Sequence, residues 1–426
     1  MELTESKAWR QYQAIYVHIP FCKQKCLYCD FASYACFGER EMRAYTEALC
    51  HEIEVRSEEA AKVAAGATIY FGGGTPSVLP TDCLERIVST LKVCGFWKNS
   101  VEATIEVNPG TADLEKLQRL RATGFDRVSF GVQSLQDEEL RNIGRIHTAQ
   151  QALEAIALAK QAGFRRISCD LIYGLPGQSL ASLKDTIFRL IKTGIEHLSV
   201  YGLILEEGTP LERLVTSGKM LLPDEDEAAD MYELVQRLLA EAGFERYEIS
   251  NYAKNGQYSR HNTVYWQYRP YVAFGAAGCG FDVNGKSTAG VGNTYDDDAQ
   301  AKDCASLAEA TAYRRTAIST VPEYIEAAKA LTSRDWRTSE LYSIEAITLS
   351  QQLEEFMFMG LRRVAGADLA EAQVRFGVDV WQRYALQLEP FIKEGLVQYD
   401  GDKQRLCLTP RGMEVGNQIF AIFVNT

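Results

Sequence analysis

The sequence predicts an α/β protein: a partial, TIM-like (β/α)6 barrel followed by a mainly helical, winged-helix-like C-terminal domain. Three observations carry that prediction. Short apolar runs alternate with helical patterns between residues 15 and 252. Residues able to do chemistry recur just after successive runs. From residue 253 the composition changes, and after residue 304 the chain becomes mainly helical.

The runs Ile15–Ile19, Ala67–Phe71, Val101–Val107, Arg127–Phe130, Ile167–Ile172 and Leu198–Leu203 are rich in β-branched and aromatic residues and read as six strands. Between them, Ser179–Thr193 puts Leu183, Ile187, Leu190 and Ile191 on one helical face and stops at Gly194. Asp224–Ala242 opens on an Asp224/Glu227 capping box and places Met231, Leu234, Val235 and Leu238 at helical spacing before Gly243. Repeated strand–helix alternation implies parallel strands joined by right-handed crossovers. An open doubly wound sheet has the same alternation. The barrel is preferred because polar residues follow strand after strand, as when βα loops converge on one mouth. Six units rather than eight make it partial and splayed.

Residues 1–252 form the predicted barrel, 253–303 an aromatic and glycine-rich segment containing HNTVYW, and 304–426 the C-terminal domain. Within the middle segment, 285–298 reads as a loop or hairpin. The last domain reads as a helix over 341–363, a short helix over 368–376, a helix over 379–394, a hairpin turning at Asp400–Asp402 and a final segment from Pro410. That order is winged-helix-like. Residues 330–426 hold ten Lys/Arg against thirteen Asp/Glu, which argues for a lid or docking role over DNA binding.

The whole chain of 426 residues carries a formal net charge of −12, so a sequence-independent grip on nucleic acid is disfavoured. The same charge disfavours capture by anionic lipid, leaving at most a peripheral membrane contact. The N-terminal residues show no secretory signal, and no apolar run reaches the ~18 residues of a membrane span. Eleven cysteines without such a signal fit a reducing compartment, where clustered thiols bind metal. A cytoplasmic location is expected.

Cys22, Cys26 and Cys29 follow the first strand at C-x3-C-x2-C spacing. Three thiolates in one loop suit a [4Fe–4S] cube with one iron left open to a small molecule. A zinc knuckle has the same start but needs a fourth ligand, such as Cys36 or His18. With Tyr28 beside the last cysteine, C-x3-C-x-Y-C resembles the signature of the radical S-adenosylmethionine proteins. The surrounding YVHIPFC is similar to the branch that contains oxygen-independent coproporphyrinogen III oxidase and the heme chaperones, and the resemblance covers essentially the whole chain. It implies a radical SAM barrel, a [4Fe–4S] cluster and S-adenosylmethionine chelated to the open iron.

The same resemblance assigns the other strand ends. Gly73, Gly74 and Thr75, in the glycine triplet after strand two, match the motif for the methionine amino group; alone, such a triplet is more often a tight turn. Glu106 matches the strand-three carboxylate, and Gln133 follows strand four. Arg145 matches a partner for the methionine carboxylate through a bidentate fork. Asp170, in an otherwise apolar strand, needs a hydrogen-bonded role, for which ribose is the family's partner. Tyr16 stands where the family places a tyrosine near the cofactor.

Within that branch, three features point away from the oxidase. Phe31 stands where the oxidase has a further cysteine, the first strand begins near the N-terminus instead of after a long arm, and His261 to Trp266 resembles the HNxxYW motif of the heme chaperones. A histidine can ligate heme iron while tyrosine and tryptophan stack on the macrocycle. His261 is therefore the candidate heme residue, Arg260 and Arg269 candidates for the propionates, and Cys279 a competing ligand. The expectation is a carrier that binds heme and passes it to a heme-accepting protein, with the oxidase as the alternative. A flavodoxin-type reductant and a homodimer are expected by analogy alone.

Overall fold

The computed structural model describes residues 8–283 and 312–424. The loop or hairpin expected over 285–298 and the boundary expected at 304 lie outside those residues. Six strands run in chain order: β1 (Tyr12–Ile19), β2 (Val63–Gly73), β3 (Ala103–Val107), β4 (Arg127–Gln133), β5 (Arg166–Tyr173) and β6 (His197–Gly202). Each pairs in parallel with the next. A doubly wound sheet reverses its order at a switch point, whereas this one does not, so the barrel reading holds.

Among the described residues the sheet continues past both edges to twelve strands. At one edge β8 (Asn251–Ala253) runs antiparallel to β6, and β7 (Glu245–Arg246) pairs with β8. At the other, β9 (Tyr271–Phe274) lies parallel to β1, followed by antiparallel β10 (Cys279–Val283), β11 (Ala312–Ala317) and β12 (Tyr342–Ile347). The helix expected over 341–363 is thus divided. Tyr342–Ile347 is strand, and the helix is Leu349–Leu361. Its missed start signal is Thr348, whose hydroxyl accepts from the Gln351 amide while the Gln351 side chain returns to Thr348.

The capping box expected at Asp224 is formed, and Ser179 forms a further one with Ser182. Helices Leu180–Lys192 and Glu225–Glu241 bury Leu183, Ile187, Met231 and Leu238 in the core that also holds Ile15, Val128 and Leu171. At the C-terminus, β13 (Ala367–Asp368), β14 (Val397–Asp400) and β15 (Arg405–Leu408) form a separate sheet in the order β13-β15-β14. Helices Leu369–Phe376 and Val380–Lys393 pack on it through Ala372, Tyr384 and Leu388. This is the expected wing. No described helix is long and apolar enough to cross a membrane.

Candidate cofactor site at the barrel mouth

The cysteine loop leaves β1 and is held by its backbone before any ligand is considered. The Cys22 amide donates to the Tyr34 carbonyl at 3.0 Å, and the Leu27 amide donates to the Ile143 carbonyl at 3.0 Å. Cys22, Cys26 and Cys29 line one cavity of about 130 Å³. Partial burial pushes the Cys22 and Cys29 thiols up from their ordinary pKa, a cost that a bound cation removes. Among the described residues, no three Cys, His, Asp or Glu side chains close on a single-ion site. The three thiols share the lining of that one cavity. The possible zinc ligands are placed elsewhere: His18 contacts the Ala32 carbonyl at 3.0 Å and the Tyr16 hydroxyl at 3.1 Å, and Cys36 is exposed.

The glycine triplet ends β2 against this loop. A Cβ on Gly74 would fall 2.7 Å from the Phe21 carbonyl oxygen and 3.1 Å from the Cys22 sulfur, so a side chain there would displace the loop. Thr75 is buried, with its hydroxyl 3.6 Å from the Cys22 sulfur and accepting from Asn108 Nδ2 at 2.7 Å. Tyr16 does not line the cavity. Its hydroxyl meets His18, whose ring packs on Gly73.

Two carboxyl groups face the same space. Glu106 accepts from the Tyr70 hydroxyl at 2.6 Å, and burial pushes its pKa up to about 7. Asp170 accepts from Ser129 at 3.3 Å, and burial pushes it up to about 6. Gln133 sits at a register shift between β4 and β5 with φ of 66°, a left-handed backbone that a non-glycine residue adopts only when its surroundings hold it there. Arg145 donates from Nη2 to Asn108 Oδ1 at 2.8 Å and to the Gly131 carbonyl, and from Nη1 toward the Cys26 sulfur at 3.4 Å. Its buried Nε has no hydrogen-bond partner among the described residues. Thiolates, a fixed guanidinium, two acids and close glycine backbone suit a cluster carrying a zwitterionic ligand.

A second cavity, of about 390 Å³, shares Tyr28, Cys29, Phe31, Glu106, Gln133 and Asp170 with the first. It continues down the barrel lumen to Ser168, His197, Ser259 and Asn262. The cysteine loop and the cap and first turn of the HNTVYW helix (Arg260–Trp266) therefore meet one space.

His261 itself is 1% exposed and does not line that space. Its Nδ1 lies 2.8 Å from the Thr68 hydroxyl and its Nε2 2.7 Å from the Tyr265 hydroxyl. Burial lowers its pKa to about 3, so the ring is neutral. Arg269, expected to meet a ligand carboxylate, is instead fixed by two hydrogen bonds on Glu371, one of 2.8 Å. Arg260 is exposed, and its backbone amide donates to Glu102 at 3.3 Å. Cys279 is half-buried in β10. Sequence reasoning missed Tyr70 and Asn108. Asn108 offers a signal, an Asn-Pro step at a strand end. Tyr70 offers only a polar tip inside an apolar strand.

Comparison with known proteins identifies the family and the fold. The Radical SAM superfamily matches residues 16–190, and the HemN C-terminal domain matches residues 347–415. A protein named heme chaperone HemW from Lactococcus lactis subsp. lactis is 33% identical over 409 residues, covering 96% of each chain. One of the same name from Bacillus subtilis is 32% identical over 418 residues, covering 97% of this chain and 99% of that one. The solved structure of coproporphyrinogen III oxidase (HemN) from Escherichia coli aligns with a TM-score of 0.76 at 20% identity, over 100% of this chain and 94% of that one. That likeness establishes the shared fold. Identity above 30% across nearly the full length of both chains establishes more: the chain belongs to the HemW family of radical S-adenosylmethionine proteins.

Proposed function

We propose that this protein binds heme, together with a [4Fe–4S] cluster and S-adenosylmethionine, and hands the heme to acceptor proteins. The observation that carries the reading is the single lumen reaching from Cys29 and Phe31 to Ser259 and Asn262, which gives one ligand access to both sequence motifs. Its volume lies in the range of small-molecule sites, and its rim carries the exposed apolar side chains Phe31 and Ile204, suited to a flat macrocycle. The naming of full-length relatives as heme chaperones supports the same assignment.

Cys22, Cys26 and Cys29 would hold the cluster. Gly73, Gly74 and Thr75 would face the methionine amino group, and Arg145 the carboxylate. Asp170 would take the ribose, with Tyr28, Glu106 and Gln133 completing the wall and Tyr16 supporting it through His18. When bound, the cluster supplies one electron to the sulfonium. The chain's own part is to orient that ligand and exclude water. His261 is the proposed heme ligand, reached when its Nε2 exchanges the Tyr265 hydroxyl for iron. A flavodoxin-type reductant, a homodimer and a peripheral membrane contact belong to the same proposal.

Incubation of heme-loaded, anaerobically reconstituted protein with an apo heme acceptor tests the reading. Heme should move to the acceptor, and parallel samples given coproporphyrinogen III, adenosylmethionine and reductant should yield no decarboxylated product. Catalytic conversion of coproporphyrinogen III without heme transfer would return the protein to the oxidase class.

A further inference from the structure

We propose that His261 is a positioning residue for adenosylmethionine: it fixes the ring of Tyr70, and Tyr70 holds the Glu106 carboxyl group in the cofactor cavity.

The relay starts on β2. Thr68 and Tyr70 lie two residues apart, so their side chains share a face of the strand. The Thr68 hydroxyl meets His261 Nδ1 at 2.8 Å, which sets the imidazole over that face. The ring then stacks on Tyr70 with centroids 4.8 Å apart and planes 25° apart. Tyr70 also stacks on Tyr16, at 6.3 Å and 23°. Held in this way, its hydroxyl donates to Glu106 at 2.6 Å. The backbone closes the remaining space, because a Cβ on Gly72 would fall 2.8 Å from the Tyr70 ring and 3.2 Å from the Glu106 carboxyl carbon.

His261 has little freedom of its own. Its Nε2 meets the Tyr265 hydroxyl at 2.7 Å and its backbone amide donates to Glu102 at 3.0 Å. A neutral imidazole has one donor and one acceptor nitrogen, and both are engaged. The His and Tyr of HNTVYW thus form the back wall of the cofactor pocket, one ring removed from the carboxyl group that faces the ligand. The first glycine of the triplet has its reason in the same packing. Without His261, the Tyr70 ring gains rotamer freedom and Glu106 loses a fixed donor, so the pocket must order itself on each binding event. This inference needs the cofactor and not heme, and it stands whether or not heme binds.

The test uses the full chain with its cluster reconstituted anaerobically. Adenosylmethionine affinity is read from the change in the electron paramagnetic resonance spectrum of the reduced cluster. Tyr70→Phe keeps the ring and removes the hydroxyl; it should weaken binding by about tenfold, the effect of one hydrogen bond to a charged group, with cluster content and melting temperature unchanged. His261→Gln should act in the same direction. The double variant should bind no more weakly than the worse single variant, because the two residues act in series. An affinity within twofold of wild type in Tyr70→Phe, or penalties that add in the double variant, would overturn the relay. Should Tyr70→Phe lose its cluster, Thr68→Val decides: it removes only the Nδ1 anchor, and an unchanged affinity there rejects the proposal.

Discussion

The Nη2 of Arg145 donates to the Oδ1 of Asn108 at 2.8 Å, and this contact ties two walls of the cofactor pocket together. Asn108 passes the connection on through Nδ2 to Thr75, whose hydroxyl lies 3.6 Å from the Cys22 sulfur. A residue at the end of β3 thus sets both the guanidinium and the glycine-rich turn.

Asn108→Ala should therefore weaken adenosylmethionine about tenfold while leaving the cluster in place. Arg145→Lys should do more, roughly ten- to a hundredfold, because an ammonium replaces a planar fork with a point charge. Titration calorimetry on reconstituted protein gives both numbers. An Arg145→Lys protein with wild-type affinity would remove Arg145 from the ligand site.

The two buried acids predict a pH dependence with a definite sign. Burial pushes Glu106 up to about 7 and Asp170 up to about 6 in the folded chain, against about 4 for both when unfolded. The folded state holds the extra protons between about pH 4 and 7, so their contribution to stability falls as pH rises through that window and is flat above it. The melting temperature of cofactor-free protein should drop from pH 5 to pH 7.5. Glu106→Gln, neutral at every pH, should flatten that slope, and an identical slope in the variant would reject the assignment.

Glu371 holds two arginines at the junction with the C-terminal domain. It pairs with Arg269, just past the HNTVYW helix, and with Arg375 at 3.1 Å, whose side chain is 1% exposed. Glu371→Ala leaves a buried cation without its carboxylate and should destabilise the protein by about 2 kcal/mol. The loss should register in urea as an earlier transition. An unshifted transition would mean that the junction is held by its apolar contacts.

Heme and adenosylmethionine should compete energetically if iron takes His261 Nε2. That step would release Tyr265 and turn the imidazole off Tyr70, weakening the wall behind Glu106. Heme-loaded protein should then bind adenosylmethionine more weakly, and adenosylmethionine should weaken heme by the same factor. Equal affinities with and without heme would show the two sites to be independent.

Much of the site was legible because its signals are local. The spacing of Cys22, Cys26 and Cys29 and the glycines after β2 are properties of short stretches of chain. Repeated strand–helix alternation located the strands that carry Glu106, Gln133 and Asp170, while the choice of those residues came from the family resemblance. Tyr70 was not legible, since its partners His261 and Glu106 come from elements that only the fold places beside it. The direction of the His261 ring was hidden for the same reason: a histidine in an aromatic stretch can face a ligand or the core, and Thr68 settles it from 193 positions away. The strand at Tyr342–Ile347 was hidden because its alternation is short and runs directly into a helix.

The most direct measurement of the central claim is a heme titration of anaerobically reconstituted full-length protein, followed by its Soret absorbance and repeated with His261→Ala. The account predicts saturation near one heme per chain, with a weaker or spectrally altered complex in the variant and an intact cluster in both. Failure of the wild-type protein to bind heme stoichiometrically would contradict it.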